Sequence, residues 1–237
     1  MNQPASPSLE PLFDRADEYD AMLQQGLRLS GEDKTFFQRG RLEDLRQQLP
    51  ADFKPSRVLD FGCGLGDTTS LLAAAFPSAH VVGVDTAEPA IAHARATRGS
   101  ERITFATVDE LAAEPAFDLS YVNGVFHHIE PEQRVDAAKK ILQSLQPGGY
   151  FGFFENNPLN PGTRLVMSRI EFDRDAQPFR AGKACQLLKE AGFDELFGPR
   201  YLFVYPRFLA WLRFSEPWLA RLPVGAQYWV LAQRAAE

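Results

Sequence analysis

Two sets of residues in this chain have the types and spacing to do chemistry. The first is Val58-Leu-Asp-Phe-Gly-Cys-Gly-Leu-Gly66, an apolar run carrying an acid, Asp60, and followed by glycines at 62, 64 and 66. Glycines at such a turn let a ligand approach the backbone closely, because no Cβ stands in the way. The second set is the adjacent pair His127-His128, within Asn123-Gly-Val-Phe-His-His-Ile129. A positioned histidine can take a proton from a hydroxyl, phenol or ammonium group, which typically accelerates a reaction about 10²–10⁴-fold.

The glycine spacing narrows the ligand. Dinucleotide sites use GxGxxG and seat a pyrophosphate on a helix N-terminus; here the spacing is GxGxG, and the Asp60 carboxylate two residues before Gly62 repels phosphate and attracts a cation. His80 to Val84 reads as a second buried strand ending at Asp85, roughly 20 residues past the glycines, where an acid meets ribose hydroxyls in a βαβ site. Asp109 follows the strand-like Ile103 to Val108 and is placed to accept from an adenine amino group. A nucleoside carrying positive charge and no phosphate satisfies all three acids, and S-adenosylmethionine is such a molecule.

These residues need a frame, and the chain between them alternates strand and helix. A helix over Asp67 to Phe76 stops at Pro77, which cannot continue the hydrogen-bond ladder. Ala87 to Thr97 reads as an alanine-rich helix with Thr86 as N-cap, Pro89 in its first turn and Gly99 past its end. Asp118 to Val122 is the fourth strand. A helix from near Pro131 places Val135, Ala138, Ile141, Leu142 and Leu145 on one face, and Pro147-Gly148-Gly149 turns it into a strand over Tyr150 to Glu155. Such alternation predicts a doubly wound parallel sheet that binds ligands outside the carboxyl ends of its strands. Ahead of it, Asp17 to Leu49 reads as two helices, the second with Phe37, Leu42, Leu45 and Leu49 on its apolar face. Near the end, Tyr201 to Tyr205 and Ala226 to Leu231 read as strands. The intervening Pro206 to Leu222, rich in Trp, Phe and Leu, is expected to form a core-facing helix, ahead of a lid, a dimer interface or a membrane-grazing segment.

On Val58 to Gly66, Val81-Val-Gly-Val-Asp85, Val108-Asp109, Phe117-Asp-Leu-Ser-Tyr-Val122 and Leu145-Gln-Pro-Gly-Gly149, in that order, the chain resembles the class I S-adenosylmethionine-dependent methyltransferases, in their small-molecule, type 11/12-like branch. The resemblance covers about residues 30 to 195. It implies an α/β, Rossmann-like doubly wound seven-stranded sheet with the last strand antiparallel, an N-terminal helical lid and a C-terminal aromatic insertion. It also implies S-adenosylmethionine as donor and S-adenosylhomocysteine as product. Gly62, Gly64 and Gly66 would line the methionine part, with Asp60 and Cys63 in the same seat; Asp85, with Thr86 beside it, takes the ribose, and Asp109 the adenine edge. Asn123 would meet the amino-acid end, and Tyr19 and Arg41 are lid contacts. His127 and His128 fall in the loop facing the transferable methyl, which makes either a candidate base. Glu155 and Asn156 are read as walls of an acceptor site, and Arg164 as a candidate partner for an anionic group on the acceptor.

Composition bounds the rest. At 237 residues and 45% hydrophobic content the chain can bury a full core. The expected layout is a disordered tail over 1–11 and a single methyltransferase domain over 12–237, divided into a helical cap to 50, a cofactor-binding core over 51–200 and a terminal hairpin with an inserted helix. A net charge of −6 argues against nucleic acid as partner. Cys63 and Cys185 offer neither a disulfide framework nor metal-ligand spacing, so no metal is expected. Residues 1–11 lack a signal-peptide pattern and no apolar run is long enough to insert stably in a membrane, so the expectation is a cytoplasmic monomer or homodimer. The acceptor is expected to be a small, partly apolar metabolite or natural-product intermediate. Methylation of a lipid-linked or glycan intermediate, or service as a non-catalytic cofactor-binding subunit, are the alternatives.

Overall fold

A computed structural model describes residues 26–28, 30–111 and 116–236. Seven strands form one sheet: β1 (Arg57–Phe61), β2 (His80–Asp85), β3 (Ile103–Thr107), β4 (Phe117–Asn123), β5 (Leu145–Asn156), β6 (Glu195–Leu202) and β7 (Gln227–Gln233), in the order β3-β2-β1-β4-β5-β7-β6. The first five run parallel, and β7 lies antiparallel between β5 and β6. Val58, Leu59, Asp60 and Phe61 of β1 are all buried, as expected for a central strand covered on both faces.

Helices cover the two faces. On one, α1 (Lys34–Gln48) and α2 (Asp67–Ala75) bring Leu42, Leu45, Leu49, Leu72 and Ala73 against Tyr121, Phe154 and Trp229. The Asp33 side chain caps α1 by accepting from the Phe36 N–H at 2.8 Å. Phe37, expected on the buried stripe of α1, instead packs edge-on to Phe203 at a ring separation of 4.9 Å. The opposite face carries α4 (Arg134–Ser144) and α6 (Ala181–Ala191), whose Ala138, Ile141, Ala184 and Leu188 cover Phe151, Phe153 and Val230. Helix α6 ends at Gly192, in the left-handed conformation. Helix α3 (Glu88–Arg98) flanks β2 and β3, and α5 (Pro161–Met167) follows β5.

Three local expectations are corrected. Helix α3 is preceded by Ala87, not capped by Thr86; the Ala87 N–H bonds instead to the Asp85 carboxylate at 3.0 Å. Strand β6 begins at Glu195 and ends at Leu202, because Phe203 takes φ 61° and turns the chain out of the sheet. The aromatic insertion is not core-facing. It forms a kinked 3₁₀ segment, Arg207–Ser215, then the short α7 (Glu216–Leu219), and Phe208, Trp211 and Trp218 are 71–75% exposed. Its polar residues face inward: the Glu216 carboxylate accepts from the N–H groups of Val204 and Tyr205, and the Arg213 guanidinium lies 4.5 Å above the Phe36 ring. Among the described residues no helix is long and apolar enough to cross a membrane.

The order of strands reverses between β1 and β4. At such a switch point, loops leave neighbouring strands in opposite directions and open a crevice. The glycine loop follows β1 and Asn123 ends β4, so the fold brings both to one place.

Candidate active site

The three loop glycines all have positive φ, at 76°, 52° and 81°, but are glycine for different reasons. A Cβ on Gly62 would fall 2.3 Å from a Val125 methyl, and one on Gly66 would fall 2.6 Å from the Phe105 ring. A Cβ on Gly64 meets no protein atom within 4 Å. Gly62 and Gly66 are therefore held by packing, and only Gly64 fronts open space that a ligand can fill. Asp85 organises this loop: one carboxylate oxygen accepts from the Gly64 N–H at 2.8 Å and the other from the Ala87 N–H. Asp60 is buried and turned onto Thr69 of α2, whose hydroxyl donates to it at 2.6 Å. Burial raises its carboxyl to about 7, with the Asp85 charge adding to the shift and the Thr69 bond opposing it. Burial likewise pushes the Cys63 thiol far up, which makes it an inert packed group. Thr86 and Asp109 are exposed.

At the end of β4 the buried Asn123 Oδ1 has no hydrogen-bond partner among the described residues. A buried acceptor left without a donor costs about 1–3 kcal/mol, so a ligand group is expected to complete it. Arg41 of α1 is also buried; its Nε donates to the Tyr121 hydroxyl at 3.0 Å and its Nη1 to the Gln227 Oε1 at 2.9 Å. Both partners are neutral, and among the described residues Arg41 makes no ion pair. Lys34, by contrast, is paired with Asp67 at 2.5 Å, and Asp67 is also bridged to Arg98. Tyr19 lies outside the described residues.

The family described as "Methyltransferase domain" matches residues 59–151, the stretch from β1 into β5. Trans-aconitate 2-methyltransferase of Rhodopseudomonas palustris (strain BisB18) is 29% identical over 137 residues, covering 58% of this chain and 51% of that protein. The protein of that name from Variovorax paradoxus (strain S110) is 27% identical over 197 residues, 75% of each. A solved S-adenosylmethionine-dependent methyltransferase from Thermotoga maritima, titled a possible histamine N-methyltransferase, superposes with a TM-score of 0.65 at 18% identity, over 95% of this chain and 99% of that one. From these matches the chain is supported as a class I S-adenosylmethionine-dependent methyltransferase of the type 11/12 kind. It spans about half the length of the curated relatives first matched. The residues fit the cofactor of this family: the open Gly64, the acceptor of Asn123 and the guanidinium of Arg41 suit a ligand with an ammonium and a carboxylate at one end, and Asp85 suits its ribose.

Beside the crevice at the switch point, and sharing Arg41 and Asn123 with it, lies a cavity of about 470 Å³. Phe36, Phe37, Phe203, Val166, Met167 and Ile170 give it apolar walls, and Asn156, Asn160, Thr163 and Gln227 line one side. Asn156 Oδ1 accepts from the Gln227 side chain at 3.0 Å. Two expected wall residues are elsewhere. Glu155 is fully buried behind the wall, and Arg164 is exposed on an adjoining groove that also carries Arg169 and Arg174.

Both histidines line the cavity, in a 3₁₀ turn (Phe126–His128) just past β4. Glu155, near the end of β5, holds this turn: one carboxylate oxygen accepts from the N–H groups of Phe126 and His127, and the other lies 2.5 Å from His127 Nδ1. Burial alone pushes the His127 imidazolium down, yet the Glu155 and Asp173 carboxylates outweigh it and hold its pKa up at about 10. For His128, burial and the neighbouring His127 charge act together and depress it to about 4. Asp173 comes within 3.7 Å of His127 Nε2 and 3.5 Å of His128 Nε2. Nothing in its local sequence signals this position, since the run Glu171-Phe-Asp-Arg-Asp175 alternates charge as exposed turns commonly do.

Proposed function

We propose that this chain transfers a methyl group from S-adenosylmethionine to a small, partly apolar acceptor held in the cavity beside His128. The observation that carries this reading is that Arg41 and Asn123, the residues given to the donor's amino-acid end, also line the apolar-walled cavity. The bound cofactor supplies an electrophilic methyl on a sulfonium. Holding a nucleophile in line with such a carbon accounts for much of the acceleration available to an enzyme. In this reading Arg41 binds the cofactor's carboxylate, Asn123 Oδ1 accepts from its ammonium, Asp85 takes the ribose hydroxyls and Asp109 the adenine edge. The aromatic walls orient the acceptor, and the histidine pair faces its reacting atom.

The curated relatives are named for trans-aconitate, which makes it the first acceptor to test. The cavity supports a less charged molecule: of the three Lys and Arg side chains at its wall, Lys34 is paired with Asp67 and Arg213 with Glu32 at 2.9 Å, and the third, Arg41, is the one assigned to the cofactor's carboxylate. Incubation with methyl-labelled cofactor, trans-aconitate and fractionated small metabolites tests the proposal. We expect label in a neutral or singly charged, partly apolar fraction and little in trans-aconitate. Label confined to lipid or protein, or none in any fraction, would overturn the reading.

A further inference from the structure

His127, His128 and Asp173 converge on one point of the cavity wall. The Nε2 atoms of both rings lie 3.7 and 3.5 Å from the same Asp173 oxygen, and all three donor atoms fall within 4.8 Å of one another. Nitrogen and oxygen ligands that share a tetrahedral ion at ~2.0–2.2 Å stand roughly 3.3–3.5 Å apart. The two measured edges match that spacing to a few tenths of an ångström. We propose that His127, His128 and Asp173 bind one divalent transition-metal ion of the Zn²⁺ class, leaving a coordination position open to the acceptor cavity.

The surroundings support a ligand set. His127 Nδ1 is held at 2.5 Å by the buried Glu155 carboxylate, which in turn is fixed by two backbone N–H groups. A carboxylate behind the far ring nitrogen is the usual support of a metal-binding histidine, because it orients the ring, and the ion takes the place of the proton that the two carboxylates otherwise hold on it. The plainer account is an ion cluster that ties the 171–173 turn to the cavity wall. The segment just after that turn is already tied without Asp173: the Gln177 N–H donates to the His127 carbonyl at 2.7 Å, and Arg134 bridges the carbonyls of Ile129 and Gln177 at 2.8 and 3.0 Å. Two imidazoles with one carboxylate suit zinc, iron, copper or nickel rather than magnesium or calcium. Asp173 lies far along the chain from the histidines, so the sequence expectation of no metal, drawn from cysteine spacing, had no access to this set.

An ion in this position can hold an acceptor oxygen through its open site, a role that rests on the methyl-transfer reading; ion binding itself does not. The test is calorimetric titration of Zn²⁺ alone into tag-free, chelator-stripped protein, with Co²⁺ followed by visible absorption. One ion per chain and the bands of a tetrahedral cobalt site are expected. His128→Ala and Asp173→Ala remove partly exposed side chains and should weaken binding by about 100-fold or more, and Glu155→Gln by about 10–100-fold, as outer-shell changes typically do. Melting curves of the metal-free variants check that each is folded. Absence of stoichiometric binding by the wild type, or unchanged affinity in folded His128→Ala and Asp173→Ala proteins, overturns the site. S-adenosylmethionine binding to the same metal-free protein reports separately on the donor reading.

Discussion

Replacing Gly64 by alanine separates a ligand-facing glycine from its two packing neighbours. At φ 52° an L-residue costs roughly 1–2 kcal/mol, and no protein atom lies within 4 Å of the added methyl. For a chain of this size 1 kcal/mol shifts the melting temperature by about 2–4 °C, so Gly64→Ala should melt only about 2–8 °C lower. Gly62→Ala and Gly66→Ala carry the same backbone cost plus contacts at 2.3 Å with Val125 and 2.6 Å with Phe105. Overpacking of that kind adds about 1–3 kcal/mol, and both should melt well below Gly64→Ala. Cofactor binding should show the reverse order. If the cofactor lies against the Gly64 backbone, the same methyl costs about 1–3 kcal/mol of binding, roughly 5- to 150-fold in Kd. Scanning calorimetry gives the first ranking and isothermal titration with S-adenosylmethionine the second. A Gly64→Ala protein that binds the cofactor as tightly as the wild type would refute the reasoning, because the open space at Gly64 would then not be the seat.

Three further outcomes follow from the site. Arg41→Met should weaken S-adenosylmethionine binding about 10- to 150-fold by titration, the size of a lost charge-assisted hydrogen bond, and unchanged affinity would remove Arg41 from the carboxylate. Asp60, with a folded pKa near 7 against 3.8 for the free side chain, keeps a proton that the unfolded chain releases; its contribution is full below about pH 4 and is lost as pH rises through 7, by about 4 kcal/mol. Asp60→Asn should therefore gain on the wild type in urea midpoint at pH 8 and not at pH 4, and a pH-independent difference would exclude the shift. Trp211→Ser and Trp218→Ser should change stability by no more than about 0.5 kcal/mol in denaturant titrations, because both rings face solvent.

The chain's sequence by itself determined the order of strands and helices, the glycine loop and the sequence of acids at Asp60, Asp85 and Asp109. Those features are local: strand and helix periods, a proline stop at Pro77 and a left-handed glycine at Gly192 are written within a few neighbouring residues. Helix α1 was legible in outline, and yet whether Phe37 entered the core or the cavity depended on Phe203, which comes from beyond β6. The same limit explains the aromatic insertion. Its Trp and Phe residues have helical spacing, but Glu216 and Arg213 bind toward the body of the protein and leave the rings outside. Tertiary structure alone decided which glycine faces a ligand, that Glu155 supports His127 from behind, and that Asp173 meets both histidines. Each of these is a through-space encounter between segments distant in the chain, set by how loops return across the carboxyl edge of the sheet, and no spacing along the sequence encodes such an encounter.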